Sequence, residues 1–586
     1  MRNATLVALA RTPLLAPDDL ALLRGIAPRV ARRALDAHVR TGDAGDVVDP
    51  ATRRHLYYLT AAGVMAVAQL MEGEPEEIAS RCGLSERALL RRLPALERLR
   101  AGRLVLLQLA AALAGAGGAL EDWRAYPVRW PFTRAGHQET LVLDGEATLR
   151  FADGARVVVG YLWDGDVDTP KGVLSVRLER LAAARACLSY STPHALRVPP
   201  VLLVTIDAAR IPSGYRPGLL WTTTEMLAAS DPLLAAWRSA NGRDESDEGR
   251  DLRAALDHLG VMRPRPTPSL TTPVSTTLTA PTTGDALRRR AARVQVSPTT
   301  RPEPRDLLAL PLVLPPRVWP LLRCVGEHPL LDRFELATVL GRDAFDTWKL
   351  LRALRDHGLC QVWRPQRHGH AWRYSLTTRG TTLLAHAAAH TPGDYRRIYG
   401  VLDDARRSGE HGLSYARGNI EHTDGITAAY LAFLEAARAR GGSVWWRGEW
   451  ACTRTYRARD RRGVERKYTL RPDAEVRYAG LGGPLRAFLE YDREQEAPKR
   501  FAGKVAQYDA YRAATGDDGF AVLFVTPRPE RGEIALAAAR DIARTGTGRC
   551  PLLDVRATTA AELAAGGPWT PIWWDARGAV GPIGAP

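Results

Sequence analysis

Cysteine, lysine and long apolar runs are scarce in this chain of 586 residues. The six cysteines are scattered without a Cys-x-x-Cys pair, which argues against a disulfide framework or a zinc ribbon and predicts reduced thiols. The longest apolar stretch, residues 104–115, is alanine-rich and too short to span a bilayer. The amino terminus lacks the basic and apolar progression of a signal peptide, so we expect a cytoplasmic protein with no membrane contact.

What the chain does contain is ordinary globular composition and a surplus of positive charge. Hydrophobic residues make up 45% and charged residues 25%, which excludes wholesale disorder. The 81 basic residues exceed the 65 acidic ones by 16, which favours a polyanionic partner, with double-stranded DNA as the first candidate. A length of this order predicts three to five domains. Because a Gly-Lys-Ser/Thr phosphate-binding motif is missing, the chain is not expected to power a reaction itself.

The composition changes between residues 239 and 305, where Thr, Pro, Ser and Arg dominate, and we interpret this stretch as a linker. The halves on either side resemble one another in four segments that keep the same order, which indicates duplication of a unit. The alternative is chance similarity among helices rich in Ala, Leu and Arg. The matched segments are 13–25 with 329–341, 58–63 with 375–380, 117–120 with 441–444, and 201–205 with 522–526.

Each half begins with a pattern typical of a winged helix, predicted over 1–72 and 306–395. In the second half, apolar residues at helical spacing in 332–339 are followed by Gly341, a second helical run over 344–357 and two short strands around a basic loop. The second helix fits a major groove and the loop can reach phosphates. The alternatives are a protein-binding winged helix and a merely solvated arginine face. The candidate DNA-binding residues are Arg342, Lys349, Arg352, Arg364, Arg367 and Arg373, with Arg29, Arg32 and Arg33 in the first half.

The remainder of each half, 73–238 and 396–586, predicts an α/β domain. In the second copy a helix over 422–440 precedes strands at 444–449, 468–478 and 485–492, a helix over 498–514 and a strand over 520–526. Asp473 begins one strand, Glu490 and Asp492 alternate at the end of the next, and Lys504 lies on the following helix. Carboxylates from neighbouring strands can bind Mg²⁺, and a lysine can offset charge on a phosphodiester. The alternative is that these acids are solvated or paired with arginine.

At these residues the sequence resembles the restriction-endonuclease-like fold, and the whole layout over about 307–526 is similar to the replication-relaxation family of actinobacterial plasmids and integrative elements. Two departures stand out: Asp492 occupies the place of a Glu-x-Lys lysine, so that role would fall to Lys504, and Arg493 to Glu496 replace the usual Gly-Thr pair. The residues that carry the resemblance are His422, Pro472, Asp473, Glu490, Asp492, Lys504 and Tyr508. The resemblance implies a winged helix joined to a nuclease-like domain that acts on DNA.

We therefore expect a mixed fold class: winged helix-turn-helix (α+β) domains plus restriction-endonuclease-like α/β domains in two pseudo-repeat halves. The expected function is DNA binding for a plasmid or integrative mobile element, with Mg²⁺-dependent cleavage in the second half as one hypothesis. The rivals are a non-catalytic regulator or replication accessory factor that works with a mobile-element ATPase, and an endonuclease that needs other subunits. The assigned roles are catalysis by Asp473, Glu490 and Lys504, metal binding by Asp473, Glu490 and Asp492, and DNA contact by Arg461, Arg462 and Lys467.

In the first half, the acidic positions are occupied by Asp144, Glu146 and Asp164, with Arg177 near the place of the lysine. Asp in place of Glu shortens a ligand, and Arg in place of Lys is a planar, permanently charged group. We expect a degenerate, architectural copy there.

Overall fold

The computed structural model divides the chain into two compact units, Met1–Pro316 with Thr382–Thr391, and Arg317–Thr381 with Pro392–Pro586. Each unit mixes helices with β-sheets, as the predicted fold class requires at this coarse level. None of the helices that the structure describes is long and apolar enough to cross a membrane. The structure describes residues 2–583 with gaps at 50–51, 85, 126, 135, 165–170, 189–197, 207–210, 212–217, 236, 240–248, 260–303, 366–370, 389, 391, 400–412, 460–463, 481–482, 495–496 and 546–552.

The first unit contains eleven described helices and ten described strands. The helices are α1 (Arg2–Arg11), α2 (Pro17–Arg24), α3 (Pro28–Thr41), α4 (Ala61–Leu70), α5 (Pro75–Arg81), α6 (Glu86–Arg92), α7 (Leu96–Gly115), α8 (Lys171–Leu188), α9 (Thr224–Ala229), α10 (Leu252–His258) and α11 (Pro304–Leu307). The strands are β1 (Ala44–Val48), β2 (His55–Leu59), β3 (Ala119–Arg124), β4 (Val128–Arg134), β5 (His137–Leu143), β6 (Gly145–Arg150), β7 (Arg156–Asp164), β8 (Val201–Thr205), β9 (Leu219–Thr223) and β10 (Arg238–Ser239).

A six-stranded sheet forms the main core of the first unit, in the order β10-β9-β8-β7-β6-β3. Strands β7, β8 and β9 are parallel, whereas β3, β6 and β7 are antiparallel neighbours. Helices α7 and α10 cover one face through residues such as Leu109 and Leu256, and helix α8 covers the other through Leu178. The hairpin β4–β5 packs beside α8. The sheet is therefore buried on both faces, as its apolar parallel strands require.

The predicted linker begins too early. Trp237 exchanges two backbone hydrogen bonds with Arg250, and helix α10 starts at the side-chain cap Asp251. Leu252 and Leu256 of that helix are fully buried in the core. Polar composition around 240–250 concealed this short amphipathic helix. Residues 260–303 of the predicted linker lie outside the described part of the chain.

The second unit contains eleven described helices and eleven described strands. The helices are α12 (Val318–Glu327), α13 (Arg333–Leu340), α14 (Ala344–Asp356), α15 (Thr378–Ala387, of which residues from Thr382 belong to the first unit), α16 (Pro392–Tyr399), α17 (Leu413–Gly418), α18 (Ile420–Ala439), α19 (Glu449–Cys452), α20 (Pro498–Thr515), α21 (Pro529–Thr545) and α22 (Ala560–Gly566). The strands are β11 (Cys360–Trp363), β12 (Arg373–Leu376), β13 (Ser443–Gly448), β14 (Arg454–Arg459), β15 (Glu465–Leu470), β16 (Ala474–Ala479), β17 (Leu485–Tyr491), β18 (Ala521–Thr526), β19 (Asp554–Thr559), β20 (Trp573–Asp575) and β21 (Val580–Gly581).

Two well-capped helices and a hairpin open the second unit, where the sequence predicted them. Asp332 and Glu335 form a capping box at the start of α13, and Gly341 ends that helix in the left-handed conformation. The carboxylate of Asp343 then accepts backbone N–H groups at the start of α14. These local hydrogen bonds fix the tight turn between the helices. Strands β11 and β12 pair antiparallel beyond α14.

A seven-stranded sheet in the order β13-β16-β17-β18-β19-β20-β21 forms the rest of the second unit. Strands β17, β18 and β19 are parallel, and α18 with α22 covers one face while α20 with α21 covers the other. The single strand predicted over 468–478 is wrong, because the chain turns at Pro472 and Asp473. Strand β15 instead pairs with β14 in a separate hairpin, and β16 enters the sheet.

Part of each unit has a similar order of elements, apart from the short helix α19 in the second. A long helix, a strand, a separate hairpin, two antiparallel strands, a helix and a parallel strand occur as α7 to β8 and again as α18 to β18. Local details also recur: Leu14 and Leu330 are buried leucines with positive φ, of 61° and 73°. Gly63 and Gly380 each lie so close to a carbonyl oxygen that a Cβ would stand 2.0 Å and 2.1 Å from it. Glycine is therefore required at both positions, because a neighbouring backbone carbonyl leaves no room for a side chain.

Candidate functional site

Asp473, the residue just before β16, lies beside Glu490 of the neighbouring strand β17. The Asp473 N–H donates to the Leu489 carbonyl at 3.1 Å, and the Tyr491 N–H donates to Asp473 Oδ2 at 2.7 Å. These two bonds bracket Glu490, so the sheet register places the two carboxyl groups together. The turn at Pro472 makes this possible, because it frees Asp473 from the hairpin just before β16 begins.

Glu490 is the buried centre of the acidic site. Its carboxylate accepts from Lys504 Nζ at 2.8 Å and from the Tyr508 hydroxyl at 2.6 Å, one helical turn apart on α20. Burial raises the pKa of Glu490, and the negative charge of Asp473 raises it further. The positive charge of Lys504 lowers it, and the pKa is about 7. The residue is only 2% exposed. Glu490 can therefore gain or lose a proton near neutral pH.

His422 and Glu449 complete the surroundings of Asp473. His422 is the third residue of α18, and its Nε2 lies 3.2 Å from Asp473 Oδ1. Burial opposes the charged imidazole, but the hydrogen bond and charge of Asp473 prevail and raise the pKa of His422. Burial likewise opposes the Asp473 carboxylate, yet His422 and Lys504 hold its pKa below the ordinary value. Burial, followed by the charge of Asp473, raises the pKa of Glu449.

Asp492, the third expected metal ligand, is engaged elsewhere. Arg531 Nε on α21 donates to its Oδ2 at 2.6 Å, and the Glu494 N–H donates to its Oδ1 at 3.0 Å. Arg531 also lies over the Phe501 ring, with its guanidinium carbon 4.8 Å from the ring centroid. Asp492 is 6% exposed. Glu490 and Asp492 both face the layer formed by α20 and α21, as their alternation along the strand predicts. Glu490, however, binds Lys504 of α20, whereas Asp492 binds Arg531 of α21.

This donor set does not fit Mg²⁺ as it stands. Among the described residues, no group of three or more His, Cys, Asp or Glu side chains is arranged to hold a metal ion. Both oxygens of Glu490 and both oxygens of Asp473 already accept protein hydrogen bonds. A cation would have to displace Lys504 or His422 first. The magnesium assignment remains a prediction.

The first unit builds the same backbone frame around Asp144. The Asp144 N–H donates to the Tyr161 carbonyl at 2.9 Å, and the Trp163 N–H donates to Asp144 Oδ2 at 2.7 Å. Leu162 therefore stands where Glu490 stands in the second unit. The expectation that Asp164 replaces the glutamate is wrong, because Asp164 lies one position beyond Trp163, as Asp492 lies beyond Tyr491. Its Oδ2 accepts from Thr205 Oγ1 at 3.0 Å.

Arginines replace the histidine and the lysine around Asp144. Arg98, the third residue of α7, donates to both carboxylate oxygens at 3.2 Å and 3.1 Å, and Arg177, the seventh of α8, donates at 3.0 Å. Lys504 is likewise the seventh residue of its helix. Burial opposes the charge, but Arg177 and Arg98 lower the pKa of Asp144 to about 2. Leu181 follows Arg177 by four residues, as Tyr508 follows Lys504, so the first unit has leucines where the second has the buried carboxyl and its phenol partner.

The predicted DNA-binding residues of α14 lie on its outer face. Lys349 and Arg352 are exposed, and their contacts with Asp346 at 3.3 Å and Asp356 at 3.9 Å are surface pairs that add little stability. Arg342 is half-buried and donates to the Arg317 carbonyl at 3.3 Å.

Two further candidates lie on the hairpins. Arg364 is exposed just after β11. Lys467 is exposed on β15 and pairs in register with Arg457, which places two cations side by side. Arg367, Arg461 and Arg462 lie outside the described residues.

Arg373 is not available to phosphates, contrary to expectation. It opens β12, and its side chain is only 7% exposed. The guanidinium donates to Glu335 at 2.6 Å and lies 3.0 Å from Asp424. Arg373 thus ties the hairpin to α13 and α18, because its side chain points to acidic residues of these helices.

The corresponding surface of the first unit is more basic. Arg29, Arg32 and Arg33 are all exposed on α3, as the DNA-contact hypothesis requires. Only Arg32 has an acidic neighbour on that helix, Asp36 at 3.9 Å.

Sequence reasoning missed a buried charge cluster around Glu475. This residue is 1% exposed and accepts hydrogen bonds from Arg454, Arg477 and Arg486, with Arg447 at 3.8 Å. Burial opposes the carboxylate, but the arginines hold its pKa well below the ordinary value. Only the strand pairing shows that these arginines converge, so the sequence offered no local signal.

Residues 322–523 match the model of the replication-relaxation family. The match runs from within α12 to within β18, and it contains α13, α14 and the acidic site with His422, Asp473, Glu490 and Lys504. It confirms the resemblance for this segment. No curated protein and no solved structure matches the chain.

Proposed function

We propose that this protein binds double-stranded DNA during the replication or transfer of a plasmid or integrative element, through a winged helix in each unit. The observation that carries the proposal is the surface of the replication-relaxation segment. There, α14 follows a tight turn at Gly341 and presents Lys349 and Arg352 on one exposed face, with the β11–β12 hairpin after it. A helix of this kind fits the major groove, and exposed cations beside it neutralise phosphates.

The repeated layout supports a tandem duplication, so that one chain carries two DNA-binding modules. In the first unit α3 takes the place of α14, with Arg29, Arg32 and Arg33 outermost. Two modules in one chain raise the effective concentration of the second once the first has bound. We propose that the first α/β domain is architectural, because Arg98 and Arg177 engage Asp144 and Leu162 stands where the second unit has Glu490.

DNA binding is tested by fluorescence anisotropy with a labelled random duplex at several salt concentrations. Replacement of Lys349 and Arg352 together by alanine should lower the slope of log K against log salt by about 2, since each lost phosphate contact removes about 0.9. The matched control replaces the exposed Arg544 and Arg577 by alanine, which removes the same charge outside the family match. Equal slopes for both double variants would contradict the proposed interface.

A second candidate function is phosphodiester cleavage at Asp473, Glu490 and Lys504, with Asp473, Glu490 and Asp492 as the proposed Mg²⁺ ligands. It is favoured by the placement of one carboxyl group on β17 and a second just before the adjacent strand β16, with Lys504 bound to the first. Against it stands the engagement of every carboxylate by protein donors. The protein lacks a Gly-Lys-Ser/Thr motif, so an ATPase of the mobile element is a proposed partner for either function.

Cleavage is tested with supercoiled, linear and single-stranded DNA in Mg²⁺ or Mn²⁺. Nicking that disappears in Asp473→Ala and Glu490→Ala, but persists in the exposed-residue control Glu465→Ala, would support catalysis at this site. Binding without cleavage would leave the non-catalytic accessory factor as the function of the isolated protein.

A further inference from the structure

An aromatic side chain stands exposed at the start of α14. Phe345, the second residue of that helix, is 61% exposed. Its ring stacks on Trp348 with centroids 5.8 Å apart, and Lys349 Nζ lies 4.2 Å from its centroid on the same outer surface. Exposure of an apolar ring of this size to water is unfavourable. The ring contributes little to the core, because most of its surface faces solvent. The neighbouring cations indicate a partner that is anionic and also offers apolar contact.

We infer that Phe345 reads a 5-methylpyrimidine, thymine in ordinary DNA, in the major groove. The inference rests on the proposed function. The first residues of a recognition helix are those that reach base edges, and the thymine methyl group is the apolar feature of the major groove. Lys349 and Arg352 lie one and two helical turns further on and supply phosphate contacts on the same face. When these cations bind the backbone, the Phe345 ring therefore lies against the base edges.

The first unit differs at this position. Arg29 is the second residue of α3, as Phe345 is of α14, and the exposed residues that follow are Arg32 and Arg33. Val30 is also exposed in this first turn, but the helix start has no counterpart to the aromatic ring, and its three exposed arginines suit phosphates. The two units therefore divide the work: the first supplies affinity that is largely independent of sequence, and the second supplies discrimination.

Phe334 provides a matched control within the same module. It is 52% exposed on α13, and the guanidinium carbon of Arg333 lies 4.5 Å from its ring centroid. It has the same chemistry as Phe345 but belongs to the first helix of the pair, which crosses the DNA backbone in this mode of docking. Loss of its ring should leave base discrimination intact.

The experiment begins with selection of bound sequences from a random duplex library by the full chain. The selected duplex is then remade with uracil in place of thymine, one position at a time, which removes a methyl group and keeps the base pair. Anisotropy titrations compare the parent, Phe345→Ala, Phe345→Leu and Phe334→Ala, and thermal unfolding checks that each variant is folded. One thymine should show a loss of about 4-fold on conversion to uracil, the value of one buried methyl group.

Phe345→Ala should bind the thymine and uracil duplexes equally, Phe345→Leu should retain part of the difference, and Phe334→Ala should retain all of it. Sensitivity to the methyl group that survives in Phe345→Ala would overturn the inference. Binding without any sequence or methyl preference in the parent would overturn it too, while leaving the proposed function in place. Failure of the parent to bind duplex DNA would reject both.

Discussion

Replacement of Glu490 by glutamine should make the stability of the protein less dependent on pH. The glutamine keeps the shape of the side chain and an oxygen that accepts from the Tyr508 hydroxyl, but it cannot ionise. The buried wild-type carboxyl has a pKa of about 7, against an ordinary value of 4.5. The folded state therefore holds the proton more tightly than the unfolded state, and wild-type stability falls as the pH rises through this window.

The magnitude follows from the two pKa values. At about 1.4 kcal/mol for each pKa unit, full ionisation of Glu490 costs about 3.5 kcal/mol, of which about 2.5 kcal/mol develops between pH 5 and pH 8.5. The free energy of unfolding of Glu490→Gln, relative to that of the wild type, should thus rise by about 2.5 kcal/mol between pH 5 and pH 8.5. The raised pKa of His422 contributes stability that is present below pH 6.5 and is lost above it, but it acts in both proteins and largely cancels. The lowered pKa of Asp473 acts only below about pH 4.

The assay is urea unfolding of the full chain at pH 5 and pH 8.5, with the free energy of unfolding taken from the transition that the substitution moves. Glu465→Gln is the control, because that carboxyl is 60% exposed on the β14–β15 hairpin and should show no such differential. The same difference between Glu490→Gln and wild type at both pH values would refute the assignment of a buried carboxyl with a near-neutral pKa.

Three further substitutions test the packing arguments by chemical unfolding at pH 7. Gly102→Ala should stabilise the first unit by about 1 kcal/mol, because the new Cβ meets Tyr161 at 3.4 Å beside a small apolar pocket and alanine favours helix α7; a loss of stability would contradict this. Gly380→Ala should destabilise the protein by about 1–3 kcal/mol despite its helical position, because its Cβ would stand 2.1 Å from the Leu359 oxygen; a neutral result would place that carbonyl elsewhere. Glu475→Gln should cost about 3–5 kcal/mol, since it removes the buried negative charge that Arg454, Arg477 and Arg486 share, and a cost below about 1 kcal/mol would show that solvent screens these arginines.

Periodicity and helix-ending glycines were enough to predict helices α13, α14, α18 and α20 and most strands from β11 to β18. Asp332, Gly341 and Asp343 delimit α13 and α14 by local hydrogen bonds, which a sequence displays directly. The segment from α21 to β21 was not predicted. The break at Pro472 was also missed, because an apolar alternation on both sides of a proline reads as one strand until the hairpin partner is known.

Side-chain partners were harder to predict than elements. Alternation placed Glu490 and Asp492 on one face, but it could not say that Arg531, from a later helix, binds the second of them. In the first half, counting along β7 selected Asp164 as the equivalent of Glu490. Only the hydrogen bonds of Asp144 show that Leu162 holds that place. Register is a property of strand pairs, so a single strand does not contain it.

The frame around Asp144 has a consequence for how the two units experience their surroundings. Four side chains of the second unit, His422, Glu490, Lys504 and Tyr508, can all ionise, and the first unit has Arg98, Leu162, Arg177 and Leu181 at the corresponding places. Arginine stays charged and leucine stays neutral across the whole physiological range, and the pKa of Asp144 is about 2. The charge of the cluster around Asp144 is thus constant, whereas that of the cluster around Glu490 varies around neutrality, so a change of one pH unit near neutrality alters the second cluster and leaves the first as it is.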